Sequence, residues 1–143
     1  MLETKRLQPH DLYWLDLRTP VGWVDVSTMH QLVDPTLSIS FFEDGFYCGS
    51  AGVYRLWNGV FEAWLTILAM PKDVRSFIKE LRHGISTALE LTQAHRIQAY
   101  CLASFTKGMK LAKRLGFTQE GVLRQGAPDR SDMVLLAMVP SWV

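Results

Sequence analysis

The first half of the chain contains a long stretch in which apolar and polar side chains follow a period of two, as is typical of β-strands. Two turn signals divide it, Glu-Asp-Gly at 43–45 and Trp-Asn-Gly at 57–59, and in each the glycine supplies the positive φ of a tight hairpin. The pattern therefore predicts three consecutive antiparallel strands, over residues 37–42, 46–56 and 60–68.

From residue 71 to residue 95 the period changes to about three and a half, which predicts the longest helix of the chain. The apolar side chains on its inward face are Val74, Phe77, Ile78, Leu81, Ile85, Ala88 and Leu89. Residues 96–103 (RIQAYCLA) are apolar on both faces, a pattern typical of a central strand that is covered on both sides. We therefore expect this strand to be buried, Cys101 included.

The last third of the chain predicts a helix over residues 105–115 and closing strands over residues 118–124 and 131–139. Ser104 is positioned to cap this helix, and Gly116 to end it in the left-handed conformation that glycine adopts cheaply. The residues expected to face inward are Phe105, Met109, Ala112 and Leu115.

At the N-terminal end a short strand is predicted over residues 1–7. Asp11 can cap a helix over residues 12–17, and a second short helix is predicted over residues 27–33. The complete order is strand, helices, three-strand meander, long helix, buried strand, helix and two strands. It predicts an α+β fold whose mixed, mostly antiparallel sheet is flanked by helices, in a single domain spanning residues 1–143.

Composition excludes several classes of protein. A net charge of +1 gives no overall field to attract nucleic acid, and the basic residues from Lys107 to Arg114 recur at helical spacing, as on a solvated helix face. No apolar run approaches the roughly 20 residues that span a bilayer, and no signal core follows the N-terminus, so we expect a cytoplasmic protein without membrane contact. Binding to nucleic acid through that basic face is the least favoured hypothesis.

The cysteine and histidine residues predict neither a disulfide nor a metal site. Cys48 and Cys101 are far apart in apolar surroundings, which favours two buried thiols. The histidines have neither the spacing nor the carboxylate and cysteine neighbours of a zinc site, so no metal is expected.

Motifs in the second half of the chain resemble the end of a GNAT acetyltransferase. They are KRLGF at 113–117, EGVLR at 120–124, Asp132, and the apolar strand at 133–138. The subfamily that acetylates ribosomal-protein N-termini is the most similar, and ETKRL at 3–7 resembles its opening strand. The resemblance implies the GNAT, or acyl-CoA N-acyltransferase, fold.

Motifs in the meander resemble GNAT-like proteins encoded by bacteriophages, including a group related to an internal virion protein of podophages. They are AGVY at 51–54, WNG at 57–59 and EAW at 62–64. A phage-encoded protein of this kind would be located in the virion or the host cytoplasm.

The GNAT resemblance implies acetyl-CoA as cosubstrate and an amine, on a protein or a small molecule, as acceptor. Family members bind the pyrophosphate on backbone N–H groups of a glycine-containing loop before the long helix. Here Arg75, Phe77 and Lys79 occupy the glycine positions. Side-chain cations would then have to bind the phosphates. The implied cofactor contacts are Leu68, Lys72, Arg75, Ser76 and Ser104.

The resemblance also implies an opening between the fourth and fifth strands for the acetyl group, with Glu62 as general base. The tyrosine that many members use as the acid is replaced by Ala112. An outward-facing or salt-bridged position is the alternative explanation for Glu62, and capping of the next helix is the alternative for Ser104. Tyr54, Trp57 and Trp64 are explained either as the lining of an acceptor cleft or as core aromatics. Two functions stay open, an active N-acetyltransferase and a catalytically inactive GNAT-fold binding or virion-associated protein.

Overall fold

The computed structural model describes residues 1–8, 10–11 and 34–140. The helices predicted over residues 12–17 and 27–33 lie outside the described residues. Among the described helices, none is long and apolar enough to cross a membrane.

The described residues form a seven-stranded mixed sheet with two α-helices, the α+β architecture that the element order predicts. The strands, numbered along the chain, lie in the spatial order β1-β2-β3-β4-β5-β7-β6. Their bounds are β1 Leu2–Arg6, β2 Ser38–Glu43, β3 Phe46–Trp57, β4 Val60–Ile67, β5 Arg96–Leu102, β6 Thr118–Leu123 and β7 Met133–Met138. The helices are α1 Val74–Thr92 and α2 Thr106–Arg114, and a 3-10 turn at Pro35–Leu37 precedes β2.

The three-strand meander is confirmed. The first hairpin turns through Asp44 and Gly45, with φ of 51° and 85°, and the second turns at Gly59, with φ of 78°. Every strand pair is antiparallel except β4 and β5, which run parallel because α1 carries the chain back across the sheet.

Helix α1 packs its apolar face against the sheet as the periodicity predicts. The buried residues of this face are Phe77, Ile78, Leu81, Ala88 and Leu89. The prediction was wrong for Val74, which is 43% exposed because it is the first helical residue and precedes the part of the helix that reaches the sheet. Asp73 is the N-cap, and its carboxylate accepts a hydrogen bond from the backbone N–H of Ser76.

Strand β5 is interior to the sheet, as predicted, but its burial on both faces is not observed. Ile97 is buried, whereas Cys101 is half-buried and Tyr100 is 41% exposed. Ile97 and Cys101 face the core formed with α1 and α2, and Tyr100 faces the opposite side. Cys101 is not fully buried because β5 has separated from β4 before reaching it.

The beginning of α2 also differs from the prediction. Phe105 occupies the N-cap position, and no side chain caps the helix. Ser104 is exposed and contributes only its backbone carbonyl, which accepts from the N–H of Thr106. Phe105 is 52% exposed rather than inward, because its ring lies over Gly108 in the first turn of its own helix.

The end of α2 is as predicted. Gly116 has a φ of 105°, which an L-residue adopts only with strain. The chain thereby turns into β6 and places Phe117, 4% exposed, in the main core. Met109, Ala112 and Leu115 pack against the same core from the helix.

Candidate active site

The two parallel strands β4 and β5 separate part of the way along their length. They pair only at Val60 with Arg96, Phe61 with Ile97 and Glu62 with Gln98, although both strands continue. On its outer side β4 stays paired with β3 as far as Ile67, and β5 with β7 as far as Leu102.

The separation leaves a V-shaped opening between residues 63–67 and residues 99–102. The outer ladders continue past the point of separation, so both strands stay part of the sheet on either side of the opening. The facing edges carry backbone N–H and C=O groups that no longer bond to each other, and such groups can bind an extended ligand between the strands.

Glu62 lies at the apex of this opening, in the last paired position of β4. Its Oε2 accepts a hydrogen bond from the hydroxyl of Tyr54, the residue directly opposite on β3. No cation within the described part of the chain forms a salt bridge with it, since the nearby Arg96 pairs with Glu120 instead. Glu62 is therefore a half-buried carboxylate bound to a phenol rather than a surface ion pair.

The face of the sheet that carries Glu62 is opposite to the two helices. Val53 and Phe61 pack into the core with α1, and their neighbours Tyr54 and Glu62 must point the other way, because successive strand side chains alternate. Burial, followed by the hydrogen bond and charge of Glu62, raises the pKa of Tyr54 far above its usual range. Tyr54 therefore remains a neutral hydrogen-bond donor at physiological pH.

One aromatic residue from each separated strand lies on the face that carries Glu62. Trp64 is on β4, and Tyr100 on β5. The indole Nε1 of Trp64 is buried and has no hydrogen-bond partner among the described residues. Trp57, in contrast, lies at the second hairpin turn and is 63% exposed.

The loop between β4 and α1 presents its backbone N–H groups to an acidic side chain of the protein itself. Both carboxylate oxygens of Glu43, at the end of β2, accept from the N–H of Lys72, at 3.1 and 3.0 Å. One of them also lies 3.3 Å from the N–H of Asp73. A carboxylate of the protein itself thus binds the two backbone N–H groups that immediately precede α1.

The rest of this loop and the first turn of α1 are also internally bonded. The Asp73 carboxylate accepts from the backbone N–H of Ser76 at 3.1 Å and from its hydroxyl at 2.7 Å. These two hydrogen bonds lower the pKa of Asp73. The backbone N–H of Leu68 donates to the carbonyl of Cys48 at 2.7 Å. Leu68 and Ser76 are therefore already engaged within the chain.

Three exposed cations, Lys72, Arg75 and Lys79, lie around the start of α1. A cation near a helix N-terminus is unfavourable because the helix dipole places positive charge there. The cluster is nevertheless compatible with an anionic ligand, which would offset this repulsion. Lys72 lies in the loop before α1, and Arg75 and Ser76 lie in the first turn of the helix, whereas Ser104 lies on a different segment, between β5 and α2.

Two features of this site were not recognised in the sequence. Tyr54 was considered only as a cleft-lining or core aromatic. A regular ladder continued from the Trp-Asn-Gly turn would place Arg55 opposite Glu62, and the irregularity of β3 between Arg55 and Trp57 shifts the register by one residue to Tyr54. Glu43 was interpreted only as part of a turn. It lies 29 and 30 residues from Lys72 and Asp73, whose N–H groups it binds, and no local pattern predicts that contact.

The sequence matches no protein-family model and no curated protein. The structure is similar to a putative phosphinothricin N-acetyltransferase, with a TM-score of 0.77, 14% identity and 99% of both chains covered. It is also similar to a ribosomal-protein-alanine N-acetyltransferase from Brucella melitensis, with a TM-score of 0.75, 17% identity and 96% and 99% coverage of this chain and that one. For the ribosomal-protein-S18-alanine N-acetyltransferase from Escherichia coli the TM-score is 0.74, at 14% identity and 100% and 99% coverage.

These likenesses show that the chain has the GNAT, or acyl-CoA N-acyltransferase, fold. They extend over nearly its whole length and include enzymes of the ribosomal-protein alanine type, the subfamily that the sequence motifs resemble. At identities below one fifth they show the fold alone, and the reaction has to be argued from the site.

Proposed function

We propose that the chain is an acetyl-CoA-dependent N-acetyltransferase that transfers an acetyl group to an amine on a protein or a small molecule. The observation that carries this proposal is the opening between β4 and β5, with Glu62 at its apex. The amine would attack the thioester carbonyl directly, forming the amide C–N bond as the C–S bond to coenzyme A breaks. Glu62 would accept the amine proton.

The residues of the candidate site fit the thioester arm of acetyl-CoA better than they fit its pyrophosphate. The opening suits an extended thioester arm, because it offers backbone groups on both edges and an apolar core on one face. The loop amides do not fit a pyrophosphate as they stand, since Glu43 already binds those of Lys72 and Asp73. The pyrophosphate would therefore rely on the side chains of Lys72, Arg75 and Lys79.

Binding of acetyl-CoA is the first test of this proposal. A ligand that binds only the folded state raises the melting temperature in proportion to the logarithm of its concentration. We expect such a rise with acetyl-CoA, together with release of free coenzyme A thiol when amines are added. Mass spectrometry of candidate acceptor proteins, with peptides that carry an N-terminal alanine as the first panel, then identifies the acceptor.

A second candidate function is a catalytically inactive GNAT-fold binding protein. The observation that favours it is the carboxylate of Glu43 on the loop amides, and Ala112 adds to it because no hydroxyl is present there to protonate a leaving thiolate. The resemblance of the meander to phage-encoded members would make this a virion-associated protein. The absence of any melting-temperature shift at a large excess of acetyl-CoA would favour this candidate over the enzyme.

A further inference from the structure

We propose that Tyr54 is a positioning residue for Glu62, holding one carboxylate oxygen so that the other is presented to the acceptor amine. This inference rests on the proposed function, in which Glu62 is the base. It adds to that function a residue on a neighbouring strand that would set the orientation of the base.

The first support is the sheet register. Tyr54 and Glu62 are directly opposite each other in the antiparallel pair of β3 and β4, so their side chains lie side by side on one face. Glu62 also pairs with Gln98, and the separation of β4 and β5 begins at the next residue. The contact is therefore anchored in the rigid part of the sheet, adjacent to the opening.

The second support is that, among the described residues, only one of the two carboxylate oxygens of Glu62 is hydrogen-bonded. The Tyr54 hydroxyl donates to Oε2 of Glu62, and Oε1 has no hydrogen-bond partner within the described residues. A base that is fixed through one oxygen keeps the second available in a defined direction, which reduces the entropy lost when the amine approaches. The hydrogen bond from Tyr54 therefore leaves Oε1 of Glu62 available to accept the amine proton.

The third support is that Tyr54 stays a hydrogen-bond donor and does not act as the base in place of Glu62. Burial and the neighbouring carboxylate raise the pKa of Tyr54, so the phenol keeps its proton throughout the range in which a carboxylate works as a base. Tyr54 therefore acts as a fixed hydrogen-bond donor to the carboxylate and does not compete with it for the amine proton.

The test compares Tyr54→Phe with Tyr47→Phe. Tyr47 is a buried tyrosine on the same strand, and its hydroxyl lies 2.6 Å from the Ser50 hydroxyl instead of contacting a carboxylate. For Tyr54→Phe we expect a roughly tenfold lower kcat and an unchanged KM for acetyl-CoA. Tyr47→Phe should lower the melting temperature while kcat is retained.

A second measurement does not depend on turnover. In urea unfolding, Tyr54→Phe combined with Glu62→Ala should destabilise the protein by less than the sum of the single changes, because both remove the same contact. Tyr47→Phe combined with Glu62→Ala should be additive. Additive behaviour of the Tyr54 and Glu62 changes would show that the pair does not interact, and would overturn the inference.

The kinetic outcomes separate this inference from the proposed function. An active wild type whose Tyr54→Phe variant keeps the same kcat overturns the positioning role and leaves the enzyme proposal intact. A wild type without turnover of any amine overturns the proposed function and the positioning role together, whatever the stability measurements show.

Discussion

The opening between β4 and β5 and the loop before α1 are the two halves of the candidate cofactor site, and they depend on sequence in different ways. The opening is made by backbone, through three strand ladders that hold β4 and β5 apart beyond Glu62. Many different side chains can support such a geometry. The loop works through particular groups, and here its N–H groups are bound by Glu43.

This contrast separates a feature that main-chain pairing sets from one that individual side chains set. Arg75, Phe77 and Lys79, the positions at which the GNAT resemblance implies glycines, all lie within α1, and Phe77 is buried against the sheet. The opening does not depend on those side chains, because its ladders use main-chain groups. An acetyltransferase built on this chain would recognise the thioester arm mainly by backbone and the phosphates mainly by charge.

The largest effect is expected at the opening. Glu62→Gln removes the proposed base but keeps its size, so kcat should fall roughly 100-fold or more while the Kd for acetyl-CoA stays unchanged. Stopped-time turnover assays and calorimetric titration measure the two quantities. Full activity in this variant would mean that the amine loses its proton to another group, and the assignment of Glu62 would be wrong.

The next largest effect is expected at the loop. Arg75→Glu reverses an exposed charge at the start of α1 and should abolish the melting-temperature shift produced by acetyl-CoA, because the phosphates would then face a repelling carboxylate. Wild-type binding should also weaken steeply with added salt, since exposed ion pairs are screened. Binding that is indifferent to both changes would exclude side-chain recognition of the pyrophosphate.

An effect of opposite sign is expected from Glu43→Gln. This variant keeps a neutral acceptor near the N–H groups of Lys72 and Asp73 but removes the negative charge that competes with a pyrophosphate, so affinity for acetyl-CoA should rise by roughly tenfold. Asp44→Asn is the matched control, because it removes the same charge from the adjacent exposed residue. Equal affinities for wild type, variant and control would show that Glu43 does not obstruct the loop.

The smallest effect on function is expected from Gly116→Ala, which alters the scaffold outside both halves. A side chain at a φ of 105° is strained, and an added Cβ would lie 3.1 Å from Cε of Met138, so stability should fall by about 1 kcal/mol or more. Urea unfolding measures this loss, and acetyl-CoA affinity should stay at the wild-type value. A neutral substitution would contradict the helix-ending role of Gly116.

Much of the fold could be predicted from the sequence because its signals are local. The Glu-Asp-Gly and Trp-Asn-Gly turns, the apolar periodicity of α1 and the Gly116 terminator each act over a few residues. The predictions that were wrong concern the surroundings of individual side chains and not the type of secondary structure. Phe105 and Cys101 were expected to be buried, and both lie where the chain leaves regular packing.

The candidate site was less predictable because its contacts join distant segments. The position of Glu62 in the fourth strand followed from the hairpin turns, and the GNAT resemblance implied its role. The contact of Glu43 with the loop before α1 depends on how β2 and α1 meet in three dimensions. Lys72 lies in that loop, whereas Arg75 and Ser76 belong to the first turn of α1, and the contribution of all three residues to ligand binding stays a prediction.

The most direct test of the central claim is to locate acetyl-CoA on the protein. Backbone amide NMR spectra of the uniformly labelled chain, recorded during a titration with acetyl-CoA, measure this location. The account predicts saturable shifts of the amides in residues 63–67 and 99–102, on the two edges of the opening, with smaller changes in the loop before α1. If those amides remain unshifted at a large excess of acetyl-CoA while the protein stays folded, the opening is not a thioester site and the proposed acetyltransferase function is contradicted.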